Sequence, residues 1–289
     1  MSKASENYTA KLRAKSIVLF IVCILLTLVC LVPIYILIIN STRSHVDIIS
    51  SVSFLPGSQL VRNVKELMTN DLYQFDPFVG FKNSAIIAIC STVLSVFFSA
   101  LTSYGLCVYD FKLRGPAFTF ILAVMMVPMQ VTSVGFLQFM IKLGLSDSFI
   151  PLIIPTIAAP PIVFFMRQYL KSSFPLDIVE AARIDGCGEF RTFLTIAIPM
   201  MKPAIAVQAI FAFIANWNNF YQPSMILVSR KFNQLTMPMM INMLKSNDKI
   251  ADYGVIYAGI ALSIIPVVII YLLLSRFIVE GVALGGVKE

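Results

Sequence analysis

The stretch Glu180–Pro199, "EAARIDGCGEFRTFLTIAIP", is polar and rich in small residues, whereas most of the chain is apolar. The preceding "LDIVEAARID", Leu176–Asp185, is good helical sequence. Gly186 follows it as a helix stop, because glycine is the usual residue just past a helix C-terminus. A second helix is predicted over Glu189–Ala197, ending before Pro199. The pattern predicts two short helices hinged at Gly186.

The composition outside this stretch points to a membrane protein. The 289 residues are 58% hydrophobic and 13% charged, with a mean hydropathy of +0.86, whereas soluble domains are about 45–50% apolar and about 25% charged. The net charge of +7 comes from Lys and Arg scattered at the ends of apolar runs, with no basic patch among aromatics, so nucleic-acid binding is not expected. The five cysteines and the single histidine, His45, lack metal-ligand spacing, so no metal site is predicted.

Six apolar runs are candidates to cross a bilayer, which requires about 20 residues for each helix. They are Ser16–Ile39, Asn83–Val108, Pro116–Ile141, Phe149–Met166, Ala204–Val228 and Tyr253–Ser275. The first is interpreted as a retained span and not as a cleaved signal peptide. The fourth contains four prolines and is predicted to be irregular or kinked; a re-entrant segment is the alternative, and it would invert everything downstream.

The charges indicate an orientation and a type of energy source. Six spans place both termini on one side; if that side is the cytoplasm, the inside segments hold 13 Lys and Arg and the outside segments 9, a modest positive-inside bias. None of the six runs contains Asp, Glu, Lys, Arg or His. Ion-driven carriers commonly keep such residues at membrane depth, so energy supplied from outside the membrane and an uncharged cargo are favoured.

The two-helix turn has features that suit docking to another protein. Ala181 and Ala182 allow close backbone approach, and Glu180, Arg183 and Asp185 could orient a helix in a groove. An amphipathic loop lying on lipid headgroups explains the same residues. Physical arguments alone leave these two interpretations evenly matched.

The spacing within the turn resembles the EAA loop of ABC-importer permeases. Glu180-Ala181-Ala182, three residues, Gly186, nine residues and then Ile196-Ala197-Ile198-Pro199 match that loop, with Ile198 in place of leucine. Asp185 beside Gly186 resembles the carbohydrate branch. The resemblance covers about residues 78–289.

This resemblance implies an all-α polytopic membrane protein with six transmembrane helices, the type I ABC-importer permease fold, in a bacterial inner or plasma membrane. It implies a cytoplasmic tail at 1–15, a first helix and extracytoplasmic loop at 16–77, a permease core at 78–275 with its EAA loop at 171–202, and a cytoplasmic tail at 276–289. The residues expected to couple to a cytoplasmic ATPase are Glu180, Ala181, Ala182, Asp185, Gly186, Ile196 and Pro199.

The implied partners are a second homologous permease subunit, two ATPase subunits, an extracytoplasmic sugar-binding protein and membrane lipid. ATP and Mg would be bound by the ATPase. The chain contains no G-x-x-x-x-G-K-[ST] motif, so no catalytic residue and no cofactor are assigned to it.

Two further segments are candidate functional sites. The end, "SRFIVEGVALGGVKE", resembles the tail of the smaller maltose-type sugar permease, which implies ATPase contacts at Gly281, Gly285, Gly286 and Lys288; a frayed glycine-rich terminus is the alternative. The fifth run contains amides and aromatics that suit sugar hydroxyls and ring faces; an interfacial aromatic belt is the alternative. These candidate path residues are Asn216, Trp217, Asn218, Asn219, Tyr221 and Gln222.

The resemblance therefore implies the transmembrane subunit of an ATP-driven, binding-protein-dependent importer, forming half of the path for a sugar, with an oligosaccharide favoured over a monosaccharide by the family alone. The loop 229–251, which includes Met243, corresponds by length and position to the loop that probes the binding protein in the maltose-type system. The alternatives are an ion-coupled secondary carrier or channel for a small neutral solute, and a membrane scaffold without transport.

Overall fold

The computed structural model describes residues 3–70, 73, 75–246 and 252–285, with the backbone alone at its two ends. Every regular element within these residues is a helix, so the all-α prediction is confirmed there. The chain divides into two compact units, one formed by 1–73 with 244–262 and the other by 74–243 with 263–289. Helix α15 (Tyr253–Gly285) contributes to both, because the boundary falls inside it.

The first unit contains α1 (Lys3–Ser41), α2 (His45–Ser50), α3 (Leu60–Thr69) and the start of α15. The most apolar part of α1 is not buried within the chain, as expected of a helix whose side chains face lipid or another subunit. The chain after α1 is folded around the buried Arg43, whose guanidinium donates to the carbonyls of Asp47 at 2.7 Å and Ser51 at 2.9 Å.

The second unit contains the remaining helices. They are α4 (Pro77–Val108), α5 (Arg114–Met125), α6 (Met129–Lys142), α7 (Ile150–Ile153), α8 (Pro160–Ser173), α9 (Asp177–Ile184), α10 (Glu189–Thr192), α11 (Ile198–Met200), α12 (Lys202–Trp217), α13 (Tyr221–Ile226) and α14 (Met237–Ser246). Two 3₁₀ helices (Ile154–Ile157 and Phe232–Gln234) and one π-helix (Phe193–Ala197) lie between them.

Helix α4 is the central element of this unit and packs against α8 and α12. Its serines recur every fourth residue along one face, and three of them donate to carbonyls of the proline-rich fourth span: Ser91 to Leu152 at 3.2 Å, Ser99 to Ala159 at 3.4 Å and Ser103 to Val163 at 2.9 Å. Small side chains let two helices approach closely in a membrane, and hydroxyls bind carbonyls there. The serine pattern explains how α4 lies close to the backbone of the fourth span.

Four segments of the described residues are long and apolar enough to span a membrane: Arg13–Ser41, Pro77–Val108, Ile150–Ser173 and Tyr253–Ser275. The number rises to six if each of two bent helix pairs forms one span. The fourth span is interrupted, with α7, a 3₁₀ helix and α8 in succession, as the prolines predict.

The third and fifth runs are not single helices, which corrects the sequence-based bounds. In the third, α5 and α6 meet at 93° around Pro128, because proline donates no backbone hydrogen bond and disfavours helix at the residue before it. In the fifth, α12 ends at Trp217, and the Gln222 N–H is capped by the side chain of Asn219 at 3.2 Å to begin a new turn. Asparagine side chains offer the backbone such alternatives to helical bonding.

Candidate functional site

The EAA turn, defined as residues 177–200, begins with a helix that stops as predicted. Gly186 has φ +75°. Its N–H donates to the backbone carbonyl of Arg183 at 3.0 Å, and the N–H of Cys187 donates to the backbone carbonyl of Ala182 at 2.9 Å. This pair of bonds is the Schellman motif, in which glycine takes the left-handed conformation just past the helix. The predicted hinge at Gly186 is therefore a defined reversal of the backbone between α9 and α10.

The second half of the turn differs from the single α-helix predicted over 189–197. Only Glu189–Thr192 is α-helical, and Phe193–Ala197 is a π-helix. The wider π turn rotates the side chains relative to an α-helix. Phe193 and Ala197 are fully buried, whereas Phe190 and Leu194 are 58% and 41% exposed, so these four residues do not share one buried face.

The inner face of the EAA turn packs against helices α4 and α8 of the second unit. Val179 and Phe193 join a buried cluster with Tyr104 of α4 and with Met166 and Leu170 of α8. Full burial of one such side chain contributes about 1.5–3 kcal/mol. The base of the turn is therefore packed into the buried core of this unit.

The structure separates the predicted coupling residues into two groups. Glu180, Ala181, Asp185, Gly186 and Pro199 are exposed and Ile196 is half-buried, whereas Ala182 is only 7% exposed. Ala182 faces the interior of the chain, so its side chain is less accessible to a partner than those of the exposed group. Ile184, which the sequence analysis did not select, has an apolar side chain that is 87% exposed.

One carboxylate joins three elements at the EAA turn. Glu189, at the start of α10, accepts from Arg183 Nε of α9 at 2.7 Å and from the hydroxyl of Tyr109, just past α4, at 2.7 Å. Bonding by Arg183 and then Tyr109 lowers the pKa of the Glu189 carboxyl, and burial together with the Glu189 bond raises the pKa of Tyr109 to about 12. Arg183 therefore serves an internal contact, although the sequence alone suggested an outward one.

The predicted path residues of the fifth run have mixed roles. Trp217 is 2% exposed, stacks between Phe81 and Phe213, and donates to the carbonyl of Ser263 at 3.0 Å, so it packs helices together. Asn216 donates to Ala212 within α12 at 2.8 Å.

The candidate residues after Trp217 are more exposed than Trp217 or lie beside a pocket. Asn218 is exposed, and Asn219 donates to Gln222 Oε1 at 2.7 Å. The hydroxyl of Tyr221 bonds that of Ser133 at 2.8 Å. Among these six candidates, Gln222 lines a pocket of the described residues, Asn219 bonds Gln222, and Tyr221 bonds Ser133, which lines the same pocket.

That pocket, the inner pocket, has a volume of 230 Å³ and lies between α6, α13 and the fourth span. It is lined by Met129, Thr132, Ser133, Phe136, Pro155, Gln222, Met225 and Ile226. Hydroxyls, one amide and no charged group line it, together with apolar and aromatic surface. The sequence analysis missed Thr132 and Ser133; their signal was two hydroxyls directly after the helix break at Pro128.

Comparison with known proteins assigns the chain to a family. The family described as "Binding-protein-dependent transport system inner membrane component" matches residues 95–283, which include the EAA turn and the inner pocket. This chain belongs to that family. It is thus a multi-pass inner-membrane transport component, and the predicted membership in the importer permeases is confirmed.

Individual members of the family match nearly the whole chain. The arabinooligosaccharides transport system permease protein AraQ of Bacillus subtilis is 35% identical over 91% of this chain and 92% of its own length. The lactose transport system permease protein LacG of Rhizobium radiobacter is 30% identical over 97% and 99%. The sn-glycerol-3-phosphate transport system permease protein UgpE of Salmonella typhimurium is 28% identical over 88% and 90%.

A solved structure confirms the type I ABC-importer permease fold. One chain of a bacterial ABC transporter involved in the import of the acidic polysaccharide alginate superposes with a TM-score of 0.74. It is 22% identical in sequence, and the match covers 96% of this chain and 98% of that one.

The predicted tail begins differently in the structure. Helix α15 continues through Gly281 and Gly285, so the segment after Ser275 starts as helix. The other two tail residues that were predicted to contact the ATPase are Gly286 and Lys288. Both lie outside the described residues.

Proposed function

We propose that the chain is one transmembrane subunit of an ATP-driven importer and docks a cytoplasmic ATPase through its EAA turn. The observation that carries the proposal is the turn itself, which presents exposed small and acidic residues and Ile184 on a packed base. Movement of an ATPase bound to this surface would be passed to α4 and α8 through the packed base of the turn. Both termini then lie in the cytoplasm, in agreement with the positive-inside bias.

The other parts of the proposed machine come from separate chains. The absence of a phosphate-binding loop motif from the sequence supports ATP and Mg binding by two partner ATPase subunits, with no ATP hydrolysis by this chain. A second homologous permease completes the path, and an extracytoplasmic sugar-binding protein delivers the cargo.

We propose an oligosaccharide as the cargo. AraQ and LacG are by name permeases for arabinooligosaccharides and lactose, both neutral sugars. The inner pocket offers hydroxyl, amide and aromatic groups without a charge, which suits a neutral sugar better than sn-glycerol 3-phosphate. The decisive experiment is uptake by proteoliposomes that contain the complete importer, with arabinotriose, lactose or glycerol 3-phosphate supplied. Uptake of only the phosphate would overturn the sugar assignment.

Gln222→Leu is expected to lower sugar uptake about tenfold, because the pocket loses a hydrogen-bonding group of roughly that value. Gln222 also accepts from Asn219, so Asn219→Ala is the control: it breaks this internal bond together with the cap on the Gln222 N–H, and it removes no pocket-lining group. Initial uptake rates in proteoliposomes measure both variants. Equal losses in both would assign Gln222 a structural role only.

Glu189→Ala is expected to reduce the amount of sugar taken up per ATP hydrolysed about fivefold, because it removes the bonds that join α9 and α10 to the end of α4. The effect is moderate because charge-assisted hydrogen bonds are strong when buried and weaker when exposed. The side chains of Arg183 and Glu189 are 40% and 44% exposed, so folding should be little affected. Arg191→Ala, on the same helix and also exposed, is the control. A normal ratio of sugar to ATP in Glu189→Ala would show that this carboxylate does not help transmit motion.

A further inference from the structure

A second pocket, the outer pocket, lies at the N-terminal end of α4. Its volume is 340 Å³, and it is lined by Lys82, Asn83, Ile86, Asp147, Ser148, Phe149, Asn233 and Gln234. Helix α4 has 32 residues, which is about 48 Å at the usual rise per residue. The EAA turn contacts the other end of α4 through Tyr109, so the outer pocket lies on the opposite side of the membrane, where cargo would arrive.

The walls of the outer pocket are tied together by hydrogen bonds between distant parts of the sequence. Asn83 donates to the carbonyls of Asn233 and Leu235, each at 2.9 Å, and Gln234 Nε2 donates to the carbonyl of Asp147 at 2.9 Å. The backbone N–H of Ser229 donates to the Asp147 carboxylate at 2.8 Å. A pocket with walls fixed in this way binds a ligand without first ordering its loops.

Asp147 shows that this geometry is maintained against local strain. Its φ is +60°, an uncommon value for a residue other than glycine. The bonds from Ser229 hold its carboxylate, and its own N–H donates to the carbonyl of Ile226 at 2.9 Å. Strained residues that persist under several such bonds are concentrated at functional sites.

The free groups of the outer pocket match a sugar. Gln234 lines the pocket, and its Oε1 has no hydrogen-bond partner among the described residues; the atom is shielded from solvent, so it accepts from a sugar hydroxyl once the side chain turns toward the pocket. A buried acceptor left without a donor is costly, and a sugar hydroxyl would supply one. Lys82 is exposed at the rim as a donor, and the half-buried Phe149 offers a ring face to the apolar side of a pyranose or furanose.

The outer and inner pockets share one wall. Phe149 of the outer pocket and Phe136 of the inner pocket both pack against the cluster formed by Ile87, Met140, Leu152 and Ile226. Ile226 also lines the inner pocket directly. One cluster of apolar side chains therefore borders both pockets.

We infer that the outer pocket is a sugar-binding site, which holds the neutral oligosaccharide after its release from the binding protein and before it reaches the inner pocket. This inference rests on the proposed function. It adds a site on this subunit, with Gln234 as hydrogen-bond acceptor and Lys82 as donor.

The test measures sugar binding to the purified importer without its binding protein, by saturation-transfer NMR with arabinotriose and lactose as probes. Lys82→Met and Gln234→Leu are each expected to weaken binding about tenfold, the usual loss for one hydrogen bond to a hydroxyl or charged group. Lys142→Met, an exposed lysine at the end of α6 outside both pockets, is expected to bind as the parent protein does. Gln222→Leu should leave the outer-pocket signal in place.

Two outcomes would overturn the inference. The parent importer could take up sugar yet give no binding signal, or Lys82→Met and Gln234→Leu could both bind sugar normally. If in the second case both variants failed to capture the binding protein, the pocket would be a protein-docking surface. Because Gln234 also bonds the Asp147 carbonyl, Lys82→Met is decisive if Gln234→Leu fails to assemble. Failure of the proposed function is distinct, because the parent importer would then take up neither sugar.

Discussion

Gly186→Pro is expected to abolish ATP-driven uptake while the spanning helices remain folded. The residue has φ +75°, and its N–H donates to Arg183 at 3.0 Å. Proline fixes φ near −65° and has no N–H, so the reversal between α9 and α10 would be lost at a cost of about 3 kcal/mol or more. The exposed residues of the EAA turn would then no longer be presented together.

A graded series makes this prediction specific. Gly186→Ala meets no atom within 4 Å of its new Cβ, so its cost is only the left-handed backbone, about 1 kcal/mol. We expect it to retain part of the activity. Gly188→Ala, which also meets no atom but lacks a positive φ, should behave as the parent protein does. Uptake in proteoliposomes and co-purification of the ATPase measure all three, and a fully active Gly186→Pro would refute the role of the turn.

The EAA turn was predictable because its signals are local. A glycine at the right place produces a Schellman reversal whatever surrounds it, and the structure has that reversal at Gly186. The orientation of its residues was not predictable in the same way. Ala182 turns inward and Ile184 outward because Val179 and Phe193 are fixed by packing against α4 and α8, which are distant in sequence.

Local sequence patterns also did not predict the breaks in the third and fifth apolar runs or the two pockets. Hydropathy located the third and fifth apolar runs, yet an apolar run does not reveal a 93° bend, and Pro128 was the only local sign of it. Trp217 looked like a sugar-stacking residue from its neighbours in sequence, but Phe81, Phe213 and the carbonyl of Ser263 enclose it. The outer pocket combines residues of α4, of the loop before α7 and of the 3₁₀ helix Phe232–Gln234. The inner pocket combines residues of α6, of the 3₁₀ helix Ile154–Ile157 and of α13, so no single stretch of sequence could predict either pocket.

Ile184→Asp is expected to release the ATPase from the importer. Ile184 is 87% exposed at the end of α9, beside the exposed Ala181 and Asp185. Burial of an isoleucine side chain in a partner's groove contributes about 1.5–3 kcal/mol, so Ile184→Ala should weaken ATPase binding roughly tenfold to a hundredfold. Aspartate would in addition place an unpaired charge in an apolar contact, which is costlier still.

The control is Leu143→Asp, which changes another exposed apolar residue, 53% exposed, at the opposite end of the second unit from the EAA turn. Leu143 lies just past α6, on the side of the outer pocket, and its replacement should leave ATPase binding intact. Retention of the ATPase in pull-downs from detergent measures both variants, with assembly of the two permease subunits as the test of folding. If Ile184→Asp kept the ATPase bound but detached the turn from anionic vesicles, Ile184 would contact lipid headgroups, and the second interpretation of the polar stretch would be the correct one.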